Sequence, residues 1–146
     1  MGDGEITKHG SALSPSNVEI VRHDGDRKSF LEHIAGATLV VLLVLKGNIS
    51  ATGISVYLSA MALGKCVIIS SGPAVDDVVP TDAAITVPPE DIATLTSAIK
   101  TTLNDPNLRE QAAAAGKTYV LSLGGEENLY LNVLHQLKNL NSAKAE

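Results

Sequence analysis

The stretch Thr38 to Ser71, TLVVLLVLKGNISATGISVYLSAMALGKCVIISS, is the part of the chain that decides its fold. Thr38 to Leu45 is a continuous apolar run rich in valine, which is typical of a parallel strand covered on both faces. Cys66 to Ser70 repeats this pattern in a shorter form. Between the two runs, apolar residues recur at helical spacing, and Gly64 follows them where a left-handed helix cap is needed: Ile54, Tyr57, Leu58, Met61 and Ala62. The stretch therefore predicts one βαβ unit.

A βαβ unit also predicts where a ligand would bind. In open parallel sheets, ligands lie beyond the carboxyl ends of the strands, which here means the loops Lys46 to Gly53 and Ser70 to Val75. A helix that begins near Gly53 offers backbone N–H groups and a positive dipole end to an anion, and Lys46 could add charge. Many loops between a strand and a helix contain glycine, so this pattern alone is a weak indication.

Length and composition limit the possible classes of protein. The chain has 146 residues, which suits one domain with a real core. A net charge of -5 argues against nucleic acid as the main partner. No apolar run is long enough to span a bilayer, so no membrane span is expected. The single cysteine excludes an internal disulfide and indicates a reducing compartment, so a cytoplasmic location is predicted.

The rest of the chain divides into short elements between turn signals. Residues 1–16 are predicted to be a flexible arm, residues 17–140 the folded domain, and residues 141–146 a frayed tail. Two more strands are predicted, Asn17 to His23 and Ala83 to Val87. Four more helical segments are indicated by apolar spacing and composition, and two of them have a capping aspartate, Asp26 or Asp105. They begin after Asp26 (Phe30, Leu31, Ile34, Ala35), after Asp91 (Ile92, Leu95, Ile99, Leu103), after Asp105-Pro106 (Leu108 to Val120), and near Glu126 (Leu129, Val133, Leu137, Leu140).

Asp24-Gly25-Asp26 has the spacing of an Asp-x-Asp metal site, and two carboxylates after a strand can hold a hard cation. A turn followed by a helix N-cap explains the same residues without a metal, and this interpretation is preferred. Among the histidines, only His23 follows a strand at the edge where ligands bind. Cys66 lies within a strand and is expected to be inert packing.

Two segments resemble a known family. SAMALGKCVIIS, residues 59–70, is similar to the "EAMA-small-G-x-P-V-I" segment of group 1 retaining glycosyltransferases of the GT-B fold. AITVPPEDIATLTSAIKTTLNDPNLREQAAAAGK, residues 84–117, is similar to the tail of their C-terminal domain. The resemblance implies a partial GT-B C-terminal domain. Its fold would be α/β and Rossmann-like, with three layers (α/β/α) and a mostly parallel sheet of about four strands.

The resemblance also implies a site for a nucleotide-sugar donor. Carried over by position, the helix start at Thr52, Gly53, Ile54 and Ser55 would present N–H groups to the donor diphosphate, with Lys46 beside it. Ser59 would hold the ribose hydroxyls. Arg22 and His23 would approach the base, and Ser71 and Gly72 would line the same edge. No cofactor and no metal are expected, and the catalytic residue is not identified.

The chain departs from the family pattern at two glutamates. In the family a glutamate and a second glutamate are separated by seven residues, and here Ala51 (or Ser50) and Ser59 stand in those positions. A serine can still hydrogen-bond a ribose hydroxyl, but it supplies no charge. The chain is therefore expected to be a donor-binding domain that is inactive in isolation. The alternatives are a non-catalytic interaction or dimerisation module of the same fold, or an epimerase fragment.

The resemblance further implies that two strands of the family's sheet, and an N-terminal acceptor domain, precede the part seen here. Those strands would lie beside Thr38 to Leu45, which would otherwise have a bare apolar edge. We expect either that Asn17 to His23 pairs with this strand, or that a missing domain or a second copy of the chain covers its edge.

Overall fold

The computed structural model describes residues 17–21, 25–44 and 53–125, together with Asn128, Leu131 and His135. Three strands form the sheet of this part of the chain: β1 (Leu39–Leu42), β2 (Cys66–Ser70) and β3 (Ile85–Val87). The helices are α1 (Arg27–Gly36), α2 (Ile54–Ala62), α3 (Pro73–Asp76), α4 (Ile92–Asn104) and α5 (Pro106–Ser122). The chain is thus an α/β protein with a Rossmann-like βαβ core.

The sheet is parallel throughout, in the order β1-β2-β3. Leu39 pairs with Cys66 and Leu42 with Ile69, while Ile68 pairs with Ile85 and Ser70 with Val87. All five residues of β2 are buried. Because successive side chains of a strand point to opposite faces, both faces of the sheet are covered at its centre.

Most helix boundaries confirm the sequence signals. Asp26 accepts hydrogen bonds from the N–H groups of Lys28 and Ser29 and caps α1. Asp105 caps α5 through Leu108 N–H, with Pro106 at the first helical position. Gly64 follows α2 with φ +68°. The Asp26 carboxylate thus serves as an N-cap, while Asp24 lies outside the described residues.

The predicted strand Asn17 to His23 is wrong for the residues that are described. Residues 17–21 form no strand, and β1 pairs only with β2, so the described sheet has three strands and not about four. The apolar side chains of this segment, Val18, Ile20 and Val21, are each more than half exposed. An extended segment that neither pairs its backbone nor buries apolar surface gains little from the strand conformation. The alternation of apolar and polar residues in this segment is typical of a strand, but it does not show which strand would pair with it.

Several other predictions differ in detail. β1 and β3 are shorter than predicted, and a short helix, α3, lies in the loop that follows β2. On α4 the middle of the predicted stripe, Leu95 and Ile99, is half-buried, but its ends are exposed. The last predicted helix falls mostly outside the described residues, as do the arm at residues 1–16 and the tail at 141–146.

The core lies between the sheet and helices α2 and α5. Tyr57, Ala60 and Met61 of α2 pack in one cluster with Val67 and Ile69 of β2. Helix α5 reaches this cluster through a close approach at Gly116. A Cβ atom at Gly116 would lie 2.9 Å from the carbonyl oxygen of Ala83 and 3.0 Å from Met61 Cγ. Helix α5 therefore needs a residue without a side chain at this position.

We predict that Gly116→Ala destabilises the chain, although alanine favours helices more than glycine does. A clash with backbone costs about 1–3 kcal/mol, against a propensity gain of about 1 kcal/mol. Gly36→Ala is the matched control, because Gly36 is the last residue of α1 and a Cβ atom added there would meet nothing within 4 Å. Urea unfolding should show a lower midpoint for the first variant only. Equal midpoints would contradict the close packing of α5.

Candidate functional site at the carboxyl edge of the sheet

The start of α2 lies against the end of β1. Gly53 is the N-cap of α2 and has φ +86°, a left-handed conformation that favours glycine. A Cβ atom at Gly53 would lie 2.6 Å from Leu42 Cδ2, the side chain of the last residue of β1. The first N–H groups of α2 are therefore held at the carboxyl edge of the sheet.

These N–H groups have the character of an anion site. Gly53 O already accepts from Val56 N and Tyr57 N, at 3.0 and 3.1 Å, so the α-helical pattern starts there. The N–H groups of Ile54 and Ser55 come before it and have no acceptor within a helix. Ser55 is exposed and Ile54 is half-buried. The positive end of the helix dipole favours negative charge at this position.

The structure places six of the ten predicted site residues at this edge or on α2. Gly53, Ile54 and Ser55 lie together at the start of α2, and Ser59 is half-buried further along the same helix. Ser71 and Gly72 follow β2, the strand next to β1. Because β1 and β2 are parallel, both groups lie at the same edge. Arg22, His23, Lys46 and Thr52 lie outside the described residues.

Hydrogen bonds of Ser70 and Ser71 connect the end of β2 to both neighbouring strands. Its side-chain Oγ accepts a hydrogen bond from Val44 N–H, at 3.1 Å, although Val44 lies 26 residues away in the sequence. The next residue, Ser71, donates its N–H to the carbonyl of Val87 at 2.8 Å. The end of β2 is thus connected to β1 through a side chain and to β3 through the backbone.

A pocket of about 140 Å³ opens where the three strands end and α4 begins. The sequence does not predict this pocket, because its walls come from segments far apart in the chain. Those walls are Leu43, Val44, Ser70, Val87, Pro88, Glu90, Asp91, Ile92 and Leu95. Most of these side chains are apolar, and two carboxylates stand among them.

The two carboxylates of the pocket are constrained differently. Glu90 has φ +64°, a left-handed conformation that costs a residue with a side chain about 1–2 kcal/mol. Asp91 caps α4 by accepting from Thr94 N–H at 2.9 Å and from Thr94 Oγ1 at 2.7 Å. The hydrogen bond from Thr94 N–H is the main reason that the pKa of Asp91 is lowered. Asp91 therefore has a structural role that keeps it ionised.

Other side chains that could react or bind a metal are not part of this edge. Cys66 starts β2 at the opposite edge and is buried, and burial raises the pKa of its thiol despite the opposing effect of Arg109. This agrees with inert packing. In the part of the chain that the structure describes, no three His, Cys, Asp or Glu side chains are grouped so that they could hold a metal ion. No helix among those residues is long and apolar enough to cross a membrane.

Comparison with known proteins identifies the family. The model of the family "Glycosyl transferases group 1" matches residues 11–119, and the chain belongs to this family. This confirms the resemblance to GT-B fold glycosyltransferases that the segments at 59–70 and 84–117 indicated.

A solved structure supports the same fold. Sucrose-phosphate synthase from Thermosynechococcus elongatus is similar with a TM-score of 0.52 and 30% sequence identity, over 60% of this chain. The match spans only 22% of the length of the synthase chain. No curated protein matches the chain.

We predict that Gly53→Ala destabilises the chain more than Gly64→Ala does. Both glycines have positive φ, so both variants bear the backbone cost of about 1–2 kcal/mol. Only at Gly53 does the new methyl group meet another side chain, since Gly64 has nothing within 4 Å. Displacing Leu42 should add roughly 1 kcal/mol, measurable by urea unfolding. Equal losses would show that the Leu42 side chain moves aside without cost, so that its approach to Gly53 does not fix the start of α2.

Proposed function

We propose that this chain is the donor-binding unit of a group 1 glycosyltransferase and binds a nucleoside diphosphate sugar at the carboxyl edge of its sheet. The observation that carries this proposal is the close approach of Gly53 to the Leu42 side chain, which puts the first N–H groups of α2 at that edge. The helix start would stabilise the diphosphate, including the charge that develops on it as the sugar leaves. No metal or cofactor is invoked for this role.

The remaining contacts of the donor follow from the positions of the predicted residues. Ser59 would hydrogen-bond the ribose hydroxyls in place of the family's glutamate, and Ser71 and Gly72 would line the sugar or diphosphate. Lys46 and Thr52 would add contacts beside the helix start, and Arg22 and His23 would approach the base. A reducing compartment such as the cytoplasm suits the free buried thiol of Cys66.

Transfer of the sugar is proposed to need more than these residues. The resemblance implies an acceptor domain and a catalytic residue supplied by it, and the chain spans 22% of the synthase that it matches. We therefore propose that the isolated polypeptide binds the donor and does not turn it over.

We expect amide chemical shifts to report donor binding. UDP, GDP and ADP, with their sugars, are titrated separately into the ¹⁵N-labelled chain. Shifts should concentrate at Gly53, Ile54, Ser55, Ser71 and Gly72, because these residues stand at the carboxyl edge. A spectrum unchanged at millimolar nucleotide would contradict donor binding and favour a non-catalytic module.

Variants at Ser59 test whether this side chain contributes to nucleotide binding in the same titration. Ser59→Ala should weaken nucleotide binding by about 2- to 10-fold, the effect of losing one hydrogen bond, while Ser59→Glu should strengthen it. Ser122→Ala is the control, because the Ser122 hydroxyl donates to Tyr119 O at the end of α5 and is not one of the predicted site residues.

A second candidate function is an interaction module, and it is favoured by the edge of β1. In the described part of the chain β1 pairs on one side only, and Val41 and Leu43 are 38% and 58% exposed. Such an edge can accept another strand. The strand would come either from an N-terminal domain of the kind that the family has or from a second copy of the chain.

We predict that the isolated chain self-associates through β1. Light scattering after gel filtration should give a dimer for the native chain and a monomer for Val41→Lys, because a charge on the edge opposes pairing. Leu121→Lys on α5 is the control, since Leu121 is also exposed and should leave the dimer intact. A native chain that is monomeric at high concentration would contradict self-pairing.

A further inference from the structure

The hydrogen bond between Val44 and Ser70 lies beyond the end of the regular β1–β2 pairing. That pairing ends at Leu42 and Ile69, and Val44 is two residues further along. There the Ser70 side chain, and not the backbone of β2, accepts from Val44 N–H. Ser70 is only 2% exposed, so water competes poorly for this bond.

A backbone carbonyl of β2 does not accept from Val44 N–H, because β2 ends at Ser70. After Ser70 the chain continues through Ser71, whose N–H donates to Val87 O on β3, and then enters α3. The hydroxyl of Ser70 therefore extends the connection between β1 and the sheet past the last regular pair. Among the described residues, Val44 is the last before the connection to α2.

The other side of that connection is fixed to the same strand. Gly53 lies against Leu42, two residues before Val44. The end of β1 is thus bonded to Ser70 through Val44, and it lies against the start of α2 through Leu42. A shift of β1 at Val44 would move the surface on which Gly53 rests, because packed side chains transmit displacement.

We propose that Ser70 is a positioning residue for the donor site. Through Val44 it fixes the end of β1 and, through Leu42 and Gly53, the N–H groups of Ile54 and Ser55. This inference rests on the proposed function, since it concerns the affinity of the same site. Ser70 itself need not touch the donor.

The structure offers a conservative variant. Ser70 borders the pocket of about 140 Å³, which has room for one more methyl group. Ser70→Thr keeps a hydroxyl that can accept from Val44 N–H, while Ser70→Ala removes it. Thr102→Val is the matched control: Thr102 is buried to a similar degree, and its hydroxyl donates to Ala98 O at 2.7 Å within α4.

The test measures two quantities on the native chain and these variants. The first is the dissociation constant of whichever of UDP, GDP and ADP binds the native chain best. The second is hydrogen exchange at the amide of Val44. Ser70→Ala should weaken nucleotide binding by about 3- to 10-fold and speed exchange at Val44 by roughly 10-fold. Ser70→Thr and Thr102→Val should stay within about 2-fold of the native chain in both.

The outcomes separate this inference from the proposed function. If the native chain binds a nucleotide and Ser70→Ala binds it equally well, the positioning role is overturned and donor binding stands. If Thr102→Val weakens binding as much as Ser70→Ala, the effect is general destabilisation and the positioning role is again overturned. If no nucleotide binds the native chain, the proposed function fails, and this inference fails with it.

Discussion

Parallel pairing is the constraint on which the rest of this structure depends. Two parallel strands cannot be joined by a tight turn, so each connection must cross from one edge of the sheet to the other. Helix α2 makes this crossing between β1 and β2, and the segment with α3 makes it between β2 and β3. As a result, all three strands end at the same edge. The candidate site lies there because the connectivity brings the strand ends together.

The buried strand β2 fixes the positions of the strand ends at that edge. Its five buried residues hold the register of both neighbouring strands, and α2 and α5 both pack against this strand. Gly116 lets α5 approach Ala83 and Met61, and Gly53 lets α2 begin against Leu42. These contacts bring the first N–H groups of α2 to one defined position. An anion site of this kind is effective only if its donors are fixed before the anion arrives.

The features that could be predicted from the sequence are those with local causes. The βαβ unit follows from two valine-rich runs and a helical spacing, and the caps of α1 and α5 follow from Asp26 and Asp105. Over residues 17–21 the predicted strand is wrong, because alternation reveals a strand's faces but not its partner. The predicted buried stripe of α4 includes the exposed Ile92 for a similar reason: periodicity does not show where the neighbouring layer ends.

The site itself could be predicted only in part. The helix start at Gly53 and the loop after β2 follow from the rule that ligands bind at the carboxyl ends of parallel strands. The bond between Val44 and Ser70 and the pocket at the start of α4 could not be predicted, since each depends on how distant segments lie next to each other. The left-handed conformation of Glu90 could not be predicted because it favours glycine and not glutamate. A crystal structure with a bound nucleoside diphosphate tests the central claim most directly. Phosphate oxygens should lie within hydrogen-bond distance of the N–H groups of Ile54 and Ser55. A diphosphate bound anywhere else on the chain would contradict the account.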